Sequence, residues 1–223
     1  MLQPTQHFVP FELVRLAQFN TEMVDFKLSI NQPTGDFFYD PWVMKPEFEG
    51  TIWHQLLNTL PETLGEARLI RLKPAEAYRS HADIDNRWHL NILGEKSYLV
   101  NLDTETMYPL NDRSRWYYLD ASPRHSAVNF GREDRVQLVV RELLQRNSSK
   151  SLKVSIKPKG PEEKYRFYFD DGASQWVNKQ IKNDKLADFK NEGLNITFTL
   201  EPECMNELCQ LVQDYFVVES TVL

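Results

Sequence analysis

The sequence is poor in cysteine, in positive charge and in long apolar runs, and each shortage excludes something. Its 223 residues contain two cysteines, Cys204 and Cys209. Five positions apart on a predicted helix, they point to different faces and cannot bridge there; neither C-x-x-C nor zinc-knuckle spacing is present. A disulfide-stapled secreted scaffold is thereby excluded, and reduced thiols in the cytoplasm are the expectation. With 26 Lys and Arg against 32 Asp and Glu, the formal net charge is −6. The broad basic field of a non-specific nucleic-acid binder is missing, so no nucleic-acid partner is expected. No apolar run approaches the roughly 18 residues of a membrane-spanning helix, and no membrane partner is expected. Met1 to Pro10 has neither the basic start nor the apolar stretch of a secretory signal, which again points to the cytoplasm. In that setting the N-x-S/T matches at Asn147 and Asn195 are chance.

What is present is globular composition: 41% apolar, 12% aromatic and 26% charged residues, in a chain long enough to bury a sizeable core. Residues 11–26 read as an amphipathic helix behind Pro10, with Leu13, Leu16, Ala17, Met23 and Val24 among its apolar positions. Residues 31–50, rich in proline, glycine and aromatics, read as a long packed loop, and Thr51–Leu60 as a second short helix ended before Pro61. From Ala67 onward short alternating stretches follow one another: Arg68–Leu72, Arg87–Ile92, Tyr98–Leu102, Trp116–Leu119, Ser126–Phe130 and Arg135–Val140. Turn residues such as Lys73-Pro74, Gly94-Glu95 and Asn111-Asp112 separate them, a spacing that predicts an antiparallel sandwich or barrel. The polar stretch Arg146–Lys150 reads as a linker. Beyond it come strand-like Leu152–Ile156 and Arg166–Phe169, helix-like Ala173–Phe189 with Asp170 or Asp171 as cap, strand-like Asn195–Leu200 and helix-like Glu203–Phe216. The expected organisation is therefore a mainly β domain over residues 1–146 with N-terminal helices, and a small α+β lobe over 151–223.

Five histidines are available: His7, His54, His81, His89 and His125. His81-Ala82-Asp83 sets an imidazole and a carboxylate on one face of extended backbone, and His125 follows at the start of a later strand. Two histidines and one carboxylate are the facial ligand set of non-haem Fe(II) oxygenases: nitrogen and oxygen donors hold Fe(II) and leave positions open. Three polar residues at turns beside strands are the structural alternative. Arg135 sharpens the metal reading. If the two strands around Gly131 form an antiparallel pair, Arg135 returns to the metal side, where its guanidinium offers two parallel donors to a carboxylate. Its alternative is a surface ion pair with Glu133 or Asp134. His89, between Trp88 and Leu90, fits a hydrogen-bonded core histidine, and Arg87 fits an ion pair with Asp83 or Asp85.

These segments resemble the aspartyl/asparaginyl β-hydroxylase family, which includes bacterial cis-proline hydroxylases. The resemblance is carried by His81-Ala82-Asp83, Arg87-Trp88-His89-Leu90, Trp116-Tyr117-Tyr118-Leu119-Asp120-Ala121-Ser122, His125-Ser126-Ala127-Val128-Asn129-Phe130-Gly131 and Arg135-Val136-Gln137-Leu138-Val139-Val140, over roughly residues 67–143. It implies a double-stranded β-helix, a jelly-roll or cupin-like barrel, and a 2-oxoglutarate- and Fe(II)-dependent dioxygenase. It implies further that His81, Asp83 and His125 hold iron, that Arg135 pairs with the distal carboxylate of 2-oxoglutarate, and that His89 and Arg87 lie at the cosubstrate. O₂ would complete the reactants. One branch of the family lacks the metal-binding carboxylate; Asp83 places this chain with the small-molecule hydroxylases on that feature. The implied substrate is an amino acid, free or within a peptide or protein, and a second copy of the chain is a candidate partner. Two other classes compete: a double-stranded β-helix without turnover that binds a ligand or partner, and a cupin-type hydrolase or isomerase that has no need of Arg135.

Overall fold

The computed structural model describes residues 2–23, 26, 28–60, 63–144, 152–161, 164–165, 168–193 and 195–223. The expected linker Arg146–Lys150 lies outside them. The chain divides into two compact units, residues 1–80 with 85–143, and residues 144–223 with 81–84.

In the first unit β1 (Leu2–Phe8) precedes α1 (Phe11–Phe19), the short hairpin β2 (Asn31–Pro33) and β3 (Trp42–Met44), and α2 (Ile52–Leu57). Seven strands follow: β4 (Leu64–Leu72), β5 (Arg87–Leu93), β6 (Ser97–Asn101), β7 (Thr106–Pro109), β8 (Arg115–Leu119), β9 (His125–Asn129) and β10 (Arg135–Glu142). They form a large antiparallel sheet in the order β1-β8-β5-β10-β4 and a smaller one in the order β7-β6-β9, which an antiparallel bridge from Ala77 to Val128 extends. From β4 the chain passes to the small sheet at Ala77, returns to β5, crosses to β6 and β7, and returns to β8. It crosses once more to β9 and ends in the large sheet with β10. This alternation is a double-stranded β-helix, and the chain is mainly β with few, short helices.

Burial explains which faces meet. Leu69, Trp88, Leu90, Ile92, Trp116, Val136, Leu138 and Val140 form the outer face of the large sheet and pack with Val14 and Ala17 of α1 and Trp53, Leu56 and Leu57 of α2. Each such fully buried aliphatic or aromatic side chain contributes about 1.5–3 kcal/mol. The opposite face of the sheet carries Arg87, His89 and Asn91 of β5 with Arg135, Gln137 and Val139 of β10, and it is buried as well. Gln137 pairs with Asn91 and Val139 with His89 across the strands. Gly94 closes the turn out of β5 at a φ of 101°, and a Cβ there would meet the Arg135 Cα at 3.0 Å, so this turn requires glycine.

Several elements differ from the sequence reading. The N-terminal residues form a strand paired with β8, because the edge of the large sheet there is open to receive one. The first helix stops at Asn20 and gives way to a 3₁₀ turn at Thr21–Met23, so residues 11–26 are not one helix. The strands around Gly131 are not a hairpin: β9 pairs with β6 while β10 pairs with β4 and β5, so the turn carries the chain from one sheet to the other.

The second unit runs β11 (Leu152–Pro158), α3 (Ser174–Lys182), β12 (Leu186–Glu192), β13 (Asn195–Leu200), α4 (Met205–Val212) and β14 (Phe216–Val222). Its antiparallel sheet has the order β12-β13-β11-β14, the split β-α-β arrangement of a β-α-β-β-α-β fold. Val154, Ile156, Ile196, Phe198 and Leu200 are buried along its strands. The helix expected over Ala173–Phe189 ends at Lys182, where Asn183 and a left-handed Asp184 (φ 55°) turn the chain into β12. No side chain caps its start among the described residues; the backbone of Asp170 and Asp171 belongs to a π-helical turn, Phe169–Ala173, that runs into α3. The last predicted helix likewise ends at Val212, and Phe216 opens a strand instead. Cys204 and Cys209 are free thiols.

Candidate active site

His81 and Asp83 lie on the segment leading into β5, and His125 opens β9. Together the three offer one ligand atom each within 4.8 Å of one another, two imidazole nitrogens and a carboxylate oxygen. His81 Nε2 lies 3.5 Å from Asp83 Oδ2. The Nδ1 of His125 is 2.9 Å from the carbonyl oxygen of Pro123, which can only accept. Nδ1 therefore carries the proton and the Nε2 lone pair is the one that can bind a metal, the usual device by which a backbone carbonyl fixes a ligating histidine. Donor type and tautomer both fit Fe(II).

Arg135 is buried, with 1% of its surface exposed. It makes no surface ion pair: Asp134 pairs with Arg71 at 3.6 Å and Glu133 with Arg113 at 3.9 Å. Its Nε donates to Ser97 Oγ at 2.6 Å and its Nη2 to Gln137 Oε1 at 2.6 Å, and among the described residues it meets no carboxylate. Burial pulls its pKa down to about 9, which leaves it a cation at neutral pH. A charge taken out of water with only neutral partners is costly unless an anion meets it.

His89 shares a partner with Arg135. Its Nδ1 is 3.0 Å from the same Gln137 Oε1 that accepts from Arg135. That oxygen has no proton to give, so Nδ1 donates and Nε2 is left as a buried acceptor with no partner among the described residues. Burial above all, with the charges of Arg135 and Arg87 beside it, holds its pKa down at about 3 against the raising effect of Gln137. A neutral His89 thus presents a lone pair that suits a hydroxyl or a water beside an anion. Arg87 takes the alternative open to it in the sequence. Its Nη1 pairs with Asp85 Oδ1 and donates to the Asp85 carbonyl at 2.9 Å. Arg141 Nη1 grips the same carboxylate at 2.8 and 3.0 Å, and its Nε reaches Glu66 at 3.0 Å.

That buried network has a measurable consequence. Asp85→Ala leaves the buried Arg87 without its anion and Arg141 with Glu66 alone, and the cost expected is about 3–5 kcal/mol. Urea unfolding of the variant measures it. A loss under about 1 kcal/mol would mean that water already compensates these charges.

Sequence reasoning did not reach Ser97, Gln137 as an Arg135 partner, or the acceptor at His89. Gln137 carried a signal, since it shares the face of Arg135 two residues on. Ser97, flanked by Lys96 and Tyr98, carried none.

No family model matches the chain, and no curated protein matches it. Similar solved structures include a cupin domain from Bordetella pertussis, 12% identical with a TM-score of 0.32 over 37% of this chain and 84% of that one. Another is the viral collagen prolyl hydroxylase of Paramecium bursaria Chlorella virus-1 in its 2OG complex, 10% identical with a TM-score of 0.42 over 63% of this chain and 93% of that one. A third is a Pseudomonas putida prolyl-4-hydroxylase, 15% identical with a TM-score of 0.42 over 63% and 90%. No helix among the described residues is long and apolar enough to cross a membrane.

Proposed function

We propose that this chain is a 2-oxoglutarate- and Fe(II)-dependent oxygenase that hydroxylates an unactivated C–H bond of an amino acid, free or within a peptide. The observation that carries the reading is Arg135, a buried cation that meets no carboxylate among the described residues, on the same sheet face as His89. His81, Asp83 and His125 would hold the metal. Arg135 would receive the distal carboxylate of the cosubstrate, held in place by Ser97 and Gln137. Bound there, Fe(II), 2-oxoglutarate and O₂ supply the oxidation, with succinate and CO₂ as coproducts.

The chain's own residues bind, orient and exclude water. Gln137 bridges Arg135 and His89 and so fixes both side chains. Leu99, Leu110, Tyr117 and Leu119 form a second apolar cluster that lines the barrel. No side chain is required as general acid or base.

Anaerobic addition of Fe(II) and 2-oxoglutarate to the protein should produce a metal-to-ligand charge-transfer colour, and admission of air should release succinate. Absence of colour with both present sinks the oxygenase reading and leaves a binding module. Iron uptake without any effect of 2-oxoglutarate would point to a cupin-type hydrolase or isomerase.

A further inference from the structure

The edge of a β-sheet invites pairing with another chain, and proteins ordinarily blunt it with proline, charge, a bulge or a covering segment. Most edges here are treated in that way. β1 carries Pro4 and a break in register before Phe8. β4 is covered at Ala67 by Ile30 and carries an exposed Arg71, with Lys73 just past its end. β7 is four residues long and ends at Pro109. The segment Ala75–Tyr78 hydrogen-bonds along β9 through Ala127 and Asn129. β12 is irregular between Ala187 and Lys190, with a left-handed Asp188, and exposes Lys190 and Glu192.

β14 has none of these devices. From Phe216 to Val222 it pairs with β11 in unbroken register, contains no proline and carries one charge, Glu219. Val217, Val222 and the adjoining Leu223 are 44%, 77% and 68% exposed. The hydrogen-bond phase of the strand is set just before it, where the Lys159 N–H donates to the Tyr215 carbonyl at 2.9 Å. Continued in the same register, that phase turns Val217, Glu219 and Thr221 toward β11. The N–H and C=O groups of Val218, Ser220 and Val222 therefore face out from the edge. Among the described residues nothing pairs with them.

We propose that β14 is an interface with a second copy of this chain: two β14 strands pair antiparallel about a two-fold axis at Ser220, and two four-stranded sheets become one. The register follows from the residues. Only outward-facing groups can form the hydrogen-bonded pairs, so the axis must pass through a residue and not between two. At Glu219 it would set the two carboxylates against each other, and at Thr221 it would set Glu219 against Leu223. At Ser220 it places Val218 opposite the partner's Val222, Val217 opposite the partner's Leu223 and Glu219 opposite the partner's Thr221, whose hydroxyl can donate to the carboxylate. Ser220 exchanges both of its backbone bonds with the partner's Ser220. Apolar residues then meet apolar ones on both faces of the joined sheet, and no like charges oppose. A strand complementary to itself in this way selects a second copy over an unrelated chain.

Sedimentation equilibrium of the full chain over a range of concentrations is the test, and it should show monomer and dimer in exchange. Ser220→Pro removes an outward N–H and leaves the bonds to β11 in place. Val222→Lys sets an ammonium against the partner's Val218 at a position already exposed. Each should weaken the dimer at least about tenfold, with circular dichroism unchanged. Val222→Lys decides the matter if Ser220→Pro does not fold. For the register, Ser220→Cys should link two copies under mild oxidation and Glu219→Cys should not, because position 220 meets itself and 219 does not. The wild-type protein, with its free Cys204 and Cys209, sets the background for that comparison. A monomer at every concentration, or a dimer that survives Val222→Lys unweakened, overturns the interface. Linking through position 219, or none through 220, overturns the register.

Discussion

Replacing Arg135 with methionine should weaken 2-oxoglutarate binding at least thirtyfold, about 2 kcal/mol, and yet leave the ligand-free protein as stable as before or more so. The two halves of this expectation have one cause. The guanidinium is withdrawn from water, its hydrogen bonds go to the neutral Ser97 and Gln137, and no carboxylate among the described residues offsets the charge. In the empty protein that is a standing cost of several kcal/mol, lessened by the two hydrogen bonds. A carboxylate arriving from solution removes the cost, so the same residue that burdens the fold supports the complex. Methionine fills a similar length without charge, although Ser97 and Gln137 lose a partner each. Thermal melting with and without 2-oxoglutarate measures both halves, and iron affinity should change much less than cosubstrate affinity. If the ligand-free variant is instead destabilised by 3 kcal/mol or more, Arg135 holds the barrel together and is not reserved for a ligand.

The same burial explains what could be read from the residues and what could not. β5 alternates Arg87, His89 and Asn91 with Trp88, Leu90 and Ile92, a pattern that ordinarily means one face in solvent. Here all but its last residue is buried, because the polar face turns into the barrel. A polar stripe that a fold encloses is where chemistry can be housed, but the sequence has no way of saying that the stripe is enclosed. The strand-rich block was legible because its turns are marked by Gly94, Asn111 and Pro123 and its outer face by regular large apolar residues. The pairing of strands was less so. Gly131 suggests a hairpin, and only the crossing between sheets shows that His125 and Arg135 reach the interior from opposite walls. β1 was missed because Gln3, Pro4, Thr5 and Gln6 lack apolar periodicity; its place is set by the open edge of β8. In the second unit Ala173–Phe189 has helical spacing throughout, and the break comes from Asn183 and Asp184, residues that tolerate a left-handed turn.

The largest effect is expected at Asp83. It is the one carboxylate of the three-residue cluster, 3.5 Å from His81 Nε2 and only partly exposed. Fe(II) bound there would bring two positive charges to a place where solvent is restricted, and an anionic oxygen ligand would lower the cost of putting them there. Asp83→Ala should therefore cut Fe(II) affinity by well over the roughly hundredfold that loss of a supporting group can cost, and turnover with it, while circular dichroism shows the barrel intact. Asp83→Asn should fall between, because it keeps an oxygen donor and loses the charge. The histidines separate from this pattern. His125 is oriented by the Pro123 carbonyl, so its replacement by alanine should add to the Asp83 defect only until binding is lost. Titration with Fe(II) under anaerobic conditions reads affinity directly, and succinate release at matched iron occupancy reads what remains once binding is equalised. An Asp83→Ala protein that holds iron and turns over like wild type would make Asp83 a structural residue. The metal would then rest on His81 and His125 with water in the third place.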